Sequence, residues 1–210
     1  MNKRRGFFIT LEGMEGAGKS THMAFMAGQL EKTGKEIVTT REPGGTPLGE
    51  QVRQILLMQN SLAIDSMTEL LLMFAARAQH RREVIVPALQ SGKIVLCDRF
   101  TDSSYAYQGG GRGIPVKTIS RLAGVVHPDL QPDLTLLFDV PVSTGLERAG
   151  KEREADRFEK ETIEFFEKVR KSYLKLAKSE PNRIKLINTD KDIGSVHSRI
   201  MEFLRDFGLC

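Results

Sequence analysis

Phe7-Phe8-Ile9-Thr10-Leu11-Glu12, followed at once by Gly13-Met14-Glu15-Gly16-Ala17-Gly18-Lys19-Ser20, is the stretch on which the fold turns. The first six residues are a short, nearly continuous apolar run, the mark of a strand covered on both faces. The next eight fit G-x-x-x-x-G-K-[ST] at every fixed position and open a helical segment, Lys19 to Leu30, closed by Gly34. Glycines in such a loop turn consecutive backbone amides inward, and with the following helix N-terminus they cradle phosphate. On this reading Gly13 to Thr21 bind ATP or GTP. Lys19 spans the β- and γ-phosphates, and Ser20 is placed to ligate Mg²⁺.

The same rhythm continues along the chain. Glu36-Ile37-Val38-Thr39-Thr40, Ile94-Val95-Leu96-Cys97, Leu134-Thr135-Leu136-Leu137-Phe138 and Ile184-Lys185-Leu186-Ile187 read as four more strands. A short helix is predicted over Leu48 to Met58. Ser66-Met67-Thr68-Glu69 reads as a capping box that opens a long helix toward Gln90, kinked by Pro87. Phe158, Phe165, Phe166, Val169, Tyr173 and Leu176 fall at helical spacing, as do Ile193, Val196, Ile200, Phe203, Leu204 and Phe207. Five strands separated by helices predict an α/β layered fold with a mostly parallel central sheet. Two segments break the pattern: Gln108 to Gly113 reads as a solvated glycine-rich loop, and residues 148–157 form a charged run starting between two helices.

Composition narrows the class. The 210 residues suit one domain, at most with a small movable flap, and 40% hydrophobic with 28% charged excludes disorder and disulfide scaffolds. The net charge of +4 suits a phosphate-bearing ligand and is too small to argue for nucleic acid. Cys97 sits in an apolar run and Cys210 is the last residue, neither with zinc-site spacing, so a reduced cytoplasmic setting is expected. The apolar stretch after the basic Met1 to Arg5 is broken at Glu12, too short for a signal peptide or a membrane span. A soluble protein without membrane or nucleic-acid partners is expected.

The loop motif alone does not separate a kinase from a GTPase or an ATP-driven machine. A GTPase carries D-x-x-G and N-K-x-D; Asn188-Thr189-Asp190-Lys191-Asp192 has the wrong order. Asp206-Phe207-Gly208 imitates a protein-kinase signature but reads as a helix end and a glycine stop. Asp98 and Asp139 each end an apolar strand, and either could hold the Mg²⁺ shell. Asp98 is followed by Arg99, which would put a carboxylate and a guanidinium together at the sheet edge where α/β proteins bind ligands, so Asp98 is taken as a catalytic residue and, with Ser20, as the expected Mg²⁺ site.

With these residues in view, the chain resembles bacterial thymidylate kinases over nearly its full length. The resemblance rests on Glu12 to Ser20, Thr40-Arg41-Glu42-Pro43-Gly44-Gly45-Thr46, Ala75-Ala76-Arg77, Asp98-Arg99-Phe100, Ser103-Ser104-Tyr105-Ala106-Tyr107-Gln108-Gly109 and the basic segment 148–157. It implies a P-loop nucleoside-monophosphate-kinase-like three-layer fold: a five-stranded parallel sheet, helices on both faces, and 148–157 as a short lid. The implied reaction is phosphorylation of dTMP to dTDP by ATP with Mg²⁺, in a cytoplasmic homodimer. It implies Arg53 and Arg99 as the pair gripping the dTMP phosphate, and Arg77 reading thymine with Ser104 and Gln108. Tyr107 falls beside the deoxyribose, with Glu15 and Glu42 also in that pocket. The family stacks a phenylalanine on thymine four residues before the base-reading arginine, where this chain has Met73; Phe74 sits one residue on, on the same helix face. The phosphate loop holds no arginine, so the resemblance implies catalytic arginines in the lid: Arg148, Arg153 and Arg157. Another small-molecule kinase on this scaffold, or a nucleotide-gated switch, are the competing readings.

Overall fold

All five strands pair in parallel, in the order β2-β3-β1-β4-β5. They are β1 (Phe7–Glu12), β2 (Ile37–Arg41), β3 (Ile94–Asp98), β4 (Leu134–Asp139) and β5 (Ile184–Asn188). The structure, a computed structural model, describes residues 5–58, 63–150, 157–158 and 160–210. The central strands β1, β3 and β4 are nearly free of exposed side chains, as their unbroken apolar runs require.

Alternation along these strands divides the core between two faces. Ile9 and Leu11 of β1 pack with Met26 and Leu30 of α1 (Lys19–Glu31) and with Val196, Ile200 and Leu204 of α9 (Ile193–Asp206). Phe8, Val95 and Cys97 face the other way, onto Ala88 and Leu89 of α4 (Val86–Gln90). Leu137 and Ile184 meet Phe166, Val169 and Tyr173 of α8 (Ile163–Ser179). Helices therefore cover both faces, and every strand delivers its C-terminal end to one edge. The remaining helices are α2 (Pro47–Leu57), α3 (Ser66–His80), α5 (Thr101–Ser104), α6 (Val116–Val126) and α7 (Val142–Gly150).

The structure corrects three local expectations. The capping box does not form. Asp65 caps α3 by accepting from the Met67 and Thr68 amides, while Glu69 is fully buried and serves other partners. Before Pro87 the long helix widens into one π turn, Arg81 to Ile85, rather than only kinking; proline removes an amide donor and crowds the preceding turn. The glycine-rich segment is no solvated loop: Tyr105 to Gly111 is a π-helical turn against α8, with Gln108 at 1% exposure. A Cβ on Gly110 would stand 2.2 Å from Ser172 Oγ, so glycine there lets two helices meet at backbone distance. Residues 151–156 of the charged run lie outside the described residues.

Candidate active site

β1 ends in the middle of the sheet and hands the chain to the loop Gly13 to Gly18 before α1. Gly16 has φ 69°, and a Cβ there would stand 1.9 Å from the Gly145 carbonyl oxygen, so only glycine fits. Gly18 precedes α1 and has no side chain to cap the first-turn amides. Those amides keep their hydrogen-bonding capacity for an anion. Lys19, 8% exposed, donates Nζ to the carbonyls of Gly13 (3.0 Å) and Met14 (2.8 Å). Burial, reinforced by Arg99, lowers its pKa to about 8, so it remains charged at neutral pH.

The end of β3 supplies the second wall. Arg99 follows Asp98 with φ 71°, the single positive φ outside glycine among the described residues. Its Nη1 donates to Gly13 O (3.0 Å), and its Nη2 donates to Glu15 Oε1 (2.7 Å) and the Tyr107 hydroxyl (3.2 Å). Tyr107 in turn donates to Glu15 Oε2 at 2.6 Å. Burial works against the Glu15 carboxylate, yet Arg99 and Lys19 hold its pKa below the usual range. Arg53, reaching from α2, donates to Pro43 O (3.1 Å); burial and the neighbouring Arg41 lower its pKa, so an anion placed there would be stabilised.

Farther in, Arg77 is 2% exposed and spreads its guanidinium over three partners. Nε donates to Glu42 Oε2 (2.6 Å), Nη1 to Ser104 Oγ (3.2 Å) and Nη2 to Phe100 O (3.1 Å). A guanidinium carries five N–H donors, so two remain for a ligand. Glu42 also meets His80 Nδ1 at 3.0 Å; burial opposes its charge, but Arg77 and His80 together keep its carboxyl below the usual range.

These groups line one cavity of about 480 Å³. Every predicted phosphate-loop and acceptor residue lines it except Gly13, Met14, Ala17 and Phe74. Met73 faces the cavity. Phe74 is 2% exposed and packs with Leu70, Ile114 and Ile119, its ring 4.6 Å from Arg77 Cζ, so of the two only Met73 lines the cavity.

The two strand-end aspartates part company. Asp139 is paired with Arg170 at 2.8 and 2.9 Å, which occupies its carboxylate. Asp98 lines the cavity and its buried Oδ1 has no hydrogen-bond partner among the described residues. With Ser20 in the same cavity, one carboxylate and one hydroxyl fit an octahedral Mg²⁺ that keeps waters and takes phosphate oxygens.

Of the arginines expected in a lid, Arg148 and Arg157 are not gathered over the loop. Arg148 donates to Thr189 O (3.1 Å) beside Asp190, at the turn after β5. Arg157 donates to Leu56 O (2.8 Å) and to Glu69 Oε2 (2.6 Å), with Cζ 4.4 Å over the Phe158 ring. Both guanidiniums have stronger local partners than open solvent, and neither lines the cavity. Arg153 lies outside the described residues.

A family model described as Thymidylate kinase matches residues 11–200. The chain belongs to the thymidylate kinase family. A thymidylate kinase of Methylobacillus flagellatus is 51% identical over 203 residues, covering 97% of this chain and 98% of that protein. One of Pseudomonas syringae is 52% identical over 199 residues, covering 95% of each. The crystal structure of thymidylate kinase from Ehrlichia chaffeensis superposes with TM-score 0.79 at 36% identity, over 96% of this chain and 99% of that one.

Within this family frame, sequence reading missed two buried carboxylates. Glu69 accepts from Gln108 (2.8 Å), Arg112 (3.2 Å) and Arg157 (2.6 Å), joining a helix, a π turn and the charged segment. Glu12 accepts from Phe100, Ser103 and Tyr173 behind the phosphate loop. The available signal was a carboxylate within a buried apolar face, which must find donors somewhere.

Proposed function

We propose that the chain transfers the γ-phosphoryl group of ATP to dTMP, giving dTDP and ADP for dTTP synthesis. The observation that supports this most is a single cavity in which the phosphate loop faces Arg53 and Arg99, with Arg77, Ser104 and Gln108 beyond them. A triphosphate on the loop then meets an acceptor phosphate held by guanidiniums, and the acceptor's base reaches a guanidinium with two donors to spare.

An acceptor phosphate has its second pKa near 6 and is already anionic at neutral pH, so no strong general base is needed. The barrier is repulsion between two anions. Lys19, Arg99 and Arg53 oppose it, with charge fixed before the transition state develops. Ser20 and Asp98 would hold a Mg²⁺ ion there, which would supply further positive charge against the donor's phosphates. Glu15 and Tyr107, joined by a hydroxyl–carboxylate bond, are assigned to the sugar side of the pocket, where the bulk of Tyr107 would reject a ribose 2′-hydroxyl. Met73 packs its thioether on thymine. The transition-state cation opposite Lys19 is assigned to Arg153, with Arg148 and Arg157 holding the two ends of its segment.

We place the protein in the cytoplasm as a homodimer. Among the described residues no helix is long and apolar enough to cross a membrane. Both cysteines are free thiols, as a reduced compartment permits. Leu48 and Ile55 of α2 and Met67 and Leu71 of α3 are between 40% and 49% exposed on helices that pack together, apolar surface a second copy would cover.

A coupled assay of ADP release with dTMP, dUMP, dCMP, dGMP and AMP tests the reading. ADP release that depends on dTMP above the others is expected. Equal turnover with AMP, or release indifferent to any acceptor, would overturn it.

A further inference from the structure

Glu12 is the last residue of β1 and is fully buried, yet it does not line the cavity. A carboxylate taken wholly out of water costs several kcal/mol unless donors surround it. Here the donors all come from the segment that carries Arg99 or from the helix behind it. Oε1 accepts from the Phe100 amide at 2.8 Å. Oε2 accepts from Ser103 Oγ at 2.6 Å and from the Tyr173 hydroxyl at 2.8 Å. Burial, with Asp102 nearby, pushes the Glu12 carboxyl up to about 7, while Ser103 and Arg99 favour its charge.

What this cluster holds is Arg99. The left-handed backbone of Arg99 is unfavourable for any residue with a Cβ and persists only where neighbours impose it. Two bonds do so: the Arg99 amide donates to Leu11 O (2.9 Å), and the next amide, of Phe100, donates to Glu12. The side chain is held by the same carboxylate at one remove. Each hydroxyl has one hydrogen, and a carboxylate can only accept. Ser103 and Tyr173, whose hydroxyls also lie 2.8 Å from each other, both reach Glu12 Oε2 and present lone pairs to Arg99 Nη1, which stands 3.2 and 3.3 Å from them. That leaves Nη2 directed at Glu15 and Tyr107, on the acceptor side.

We propose that Glu12 is a positioning residue for phosphoryl transfer: without touching either substrate, it fixes the turn and the two hydroxyls that aim Arg99 at the acceptor phosphate. The inference rests on the reading of Arg99 as an acceptor-phosphate cation. Gln is nearly the same size as Glu, but its amide brings a donor where two hydroxyls now donate.

The test is steady-state kinetics at about pH 8, where the carboxylate is ionised, on Glu12→Gln, Ser103→Ala, Tyr173→Phe and Arg99→Ala, with thermal melting of each. Glu12→Gln is expected to raise KM for dTMP about tenfold and KM for ATP less than twofold. Tyr173→Phe, which leaves β1 untouched, should move the same constant in the same direction if Glu12→Gln does not fold. In an Arg99→Ala background, Glu12→Gln should have no further effect on KM for dTMP, because its action passes through the missing guanidinium. Unchanged KM for dTMP in folded Glu12→Gln and Tyr173→Phe overturns the proposal, as do equal rises for both substrates or additive losses with Arg99→Ala. If Arg99→Ala itself leaves KM for dTMP unchanged, the reading of Arg99 fails instead.

Discussion

Replacing Arg77 by alanine should destabilise the protein as well as weaken its grip on thymine. Arg77 and Glu42 are 2% and 4% exposed, with Nε and Oε2 at 2.6 Å. Removing one partner of a buried pair leaves the other as an uncompensated charge, at a cost of about 3–5 kcal/mol. His80 stays 3.0 Å from Glu42 Oε1, so the lower end of that range applies. The change also deletes the guanidinium from between the Phe74 and Phe100 rings, which lie 4.6 and 5.3 Å from Cζ. A chain of this size loses roughly 2–4 °C of Tm per kcal/mol, so a drop of about 10 °C is expected. The double variant Arg77→Ala/Glu42→Gln removes the orphaned charge and should regain part of the loss. Urea unfolding followed by circular dichroism reads both, with KM for dTMP measured on the folded fraction. A single variant within 1 kcal/mol of the parent, or a double variant whose losses simply add, would refute the buried-pair argument.

Lys19→Ala should lower kcat about a hundred- to thousandfold, the usual cost of one oxyanion contact, with little change in Tm; near-normal turnover would remove the loop from the reaction. Gly16→Ala should abolish nucleotide binding by calorimetry, because φ 69° and the Gly145 carbonyl leave no room for a methyl group; ordinary affinity would contradict that geometry. His22, stacked on Phe138 at 5.1 Å, has its pKa lowered to about 4 by burial and then by His197. The neutral ring contributes stability that is complete above pH 6.5 and is lost as pH falls through about 4. Glu12 acts with the opposite sign between its usual 4.5 and about 7, since the fold then takes up the proton. Comparing Tm against pH in His22→Phe and the parent isolates the histidine: the variant should lose less on acidification, and parallel curves would refute it.

Much of the fold was legible because its signals are local. An apolar run bounded by turn residues needs no partner to be recognised as a buried strand, and the glycine loop carries its chemistry within eight consecutive residues. The glycine-rich turn was misread because Gly109, Gly110 and Gly111 have poor helical propensity; packing on α8 decides the matter, and packing is not a local property. Glu69 was misread for the same reason: its spacing from Ser66 fits a cap, but three donors 39, 43 and 88 residues away in sequence claim it. Asp98 was preferred to Asp139 from sequence because Arg99 follows it, whereas the pairing of Asp139 with Arg170, 31 residues on, is a long-range contact that no local signal shows. Met73 and Phe74 share a helix face by spacing, and only the neighbouring helices separate cavity from core.

The central claim is that the phosphate loop and the guanidinium-lined pocket act on one phosphoryl group moving between two nucleotides. Single-turnover transfer from γ-labelled ATP, with dTMP present or absent and products separated by chromatography, tests it most directly. With dTMP, the label should leave ATP and arrive in the β-phosphate of dTDP, with no labelled protein at any time. Without dTMP it should stay in ATP. Label released as inorganic phosphate at the same rate in both cases, or held covalently on the chain, would contradict the account.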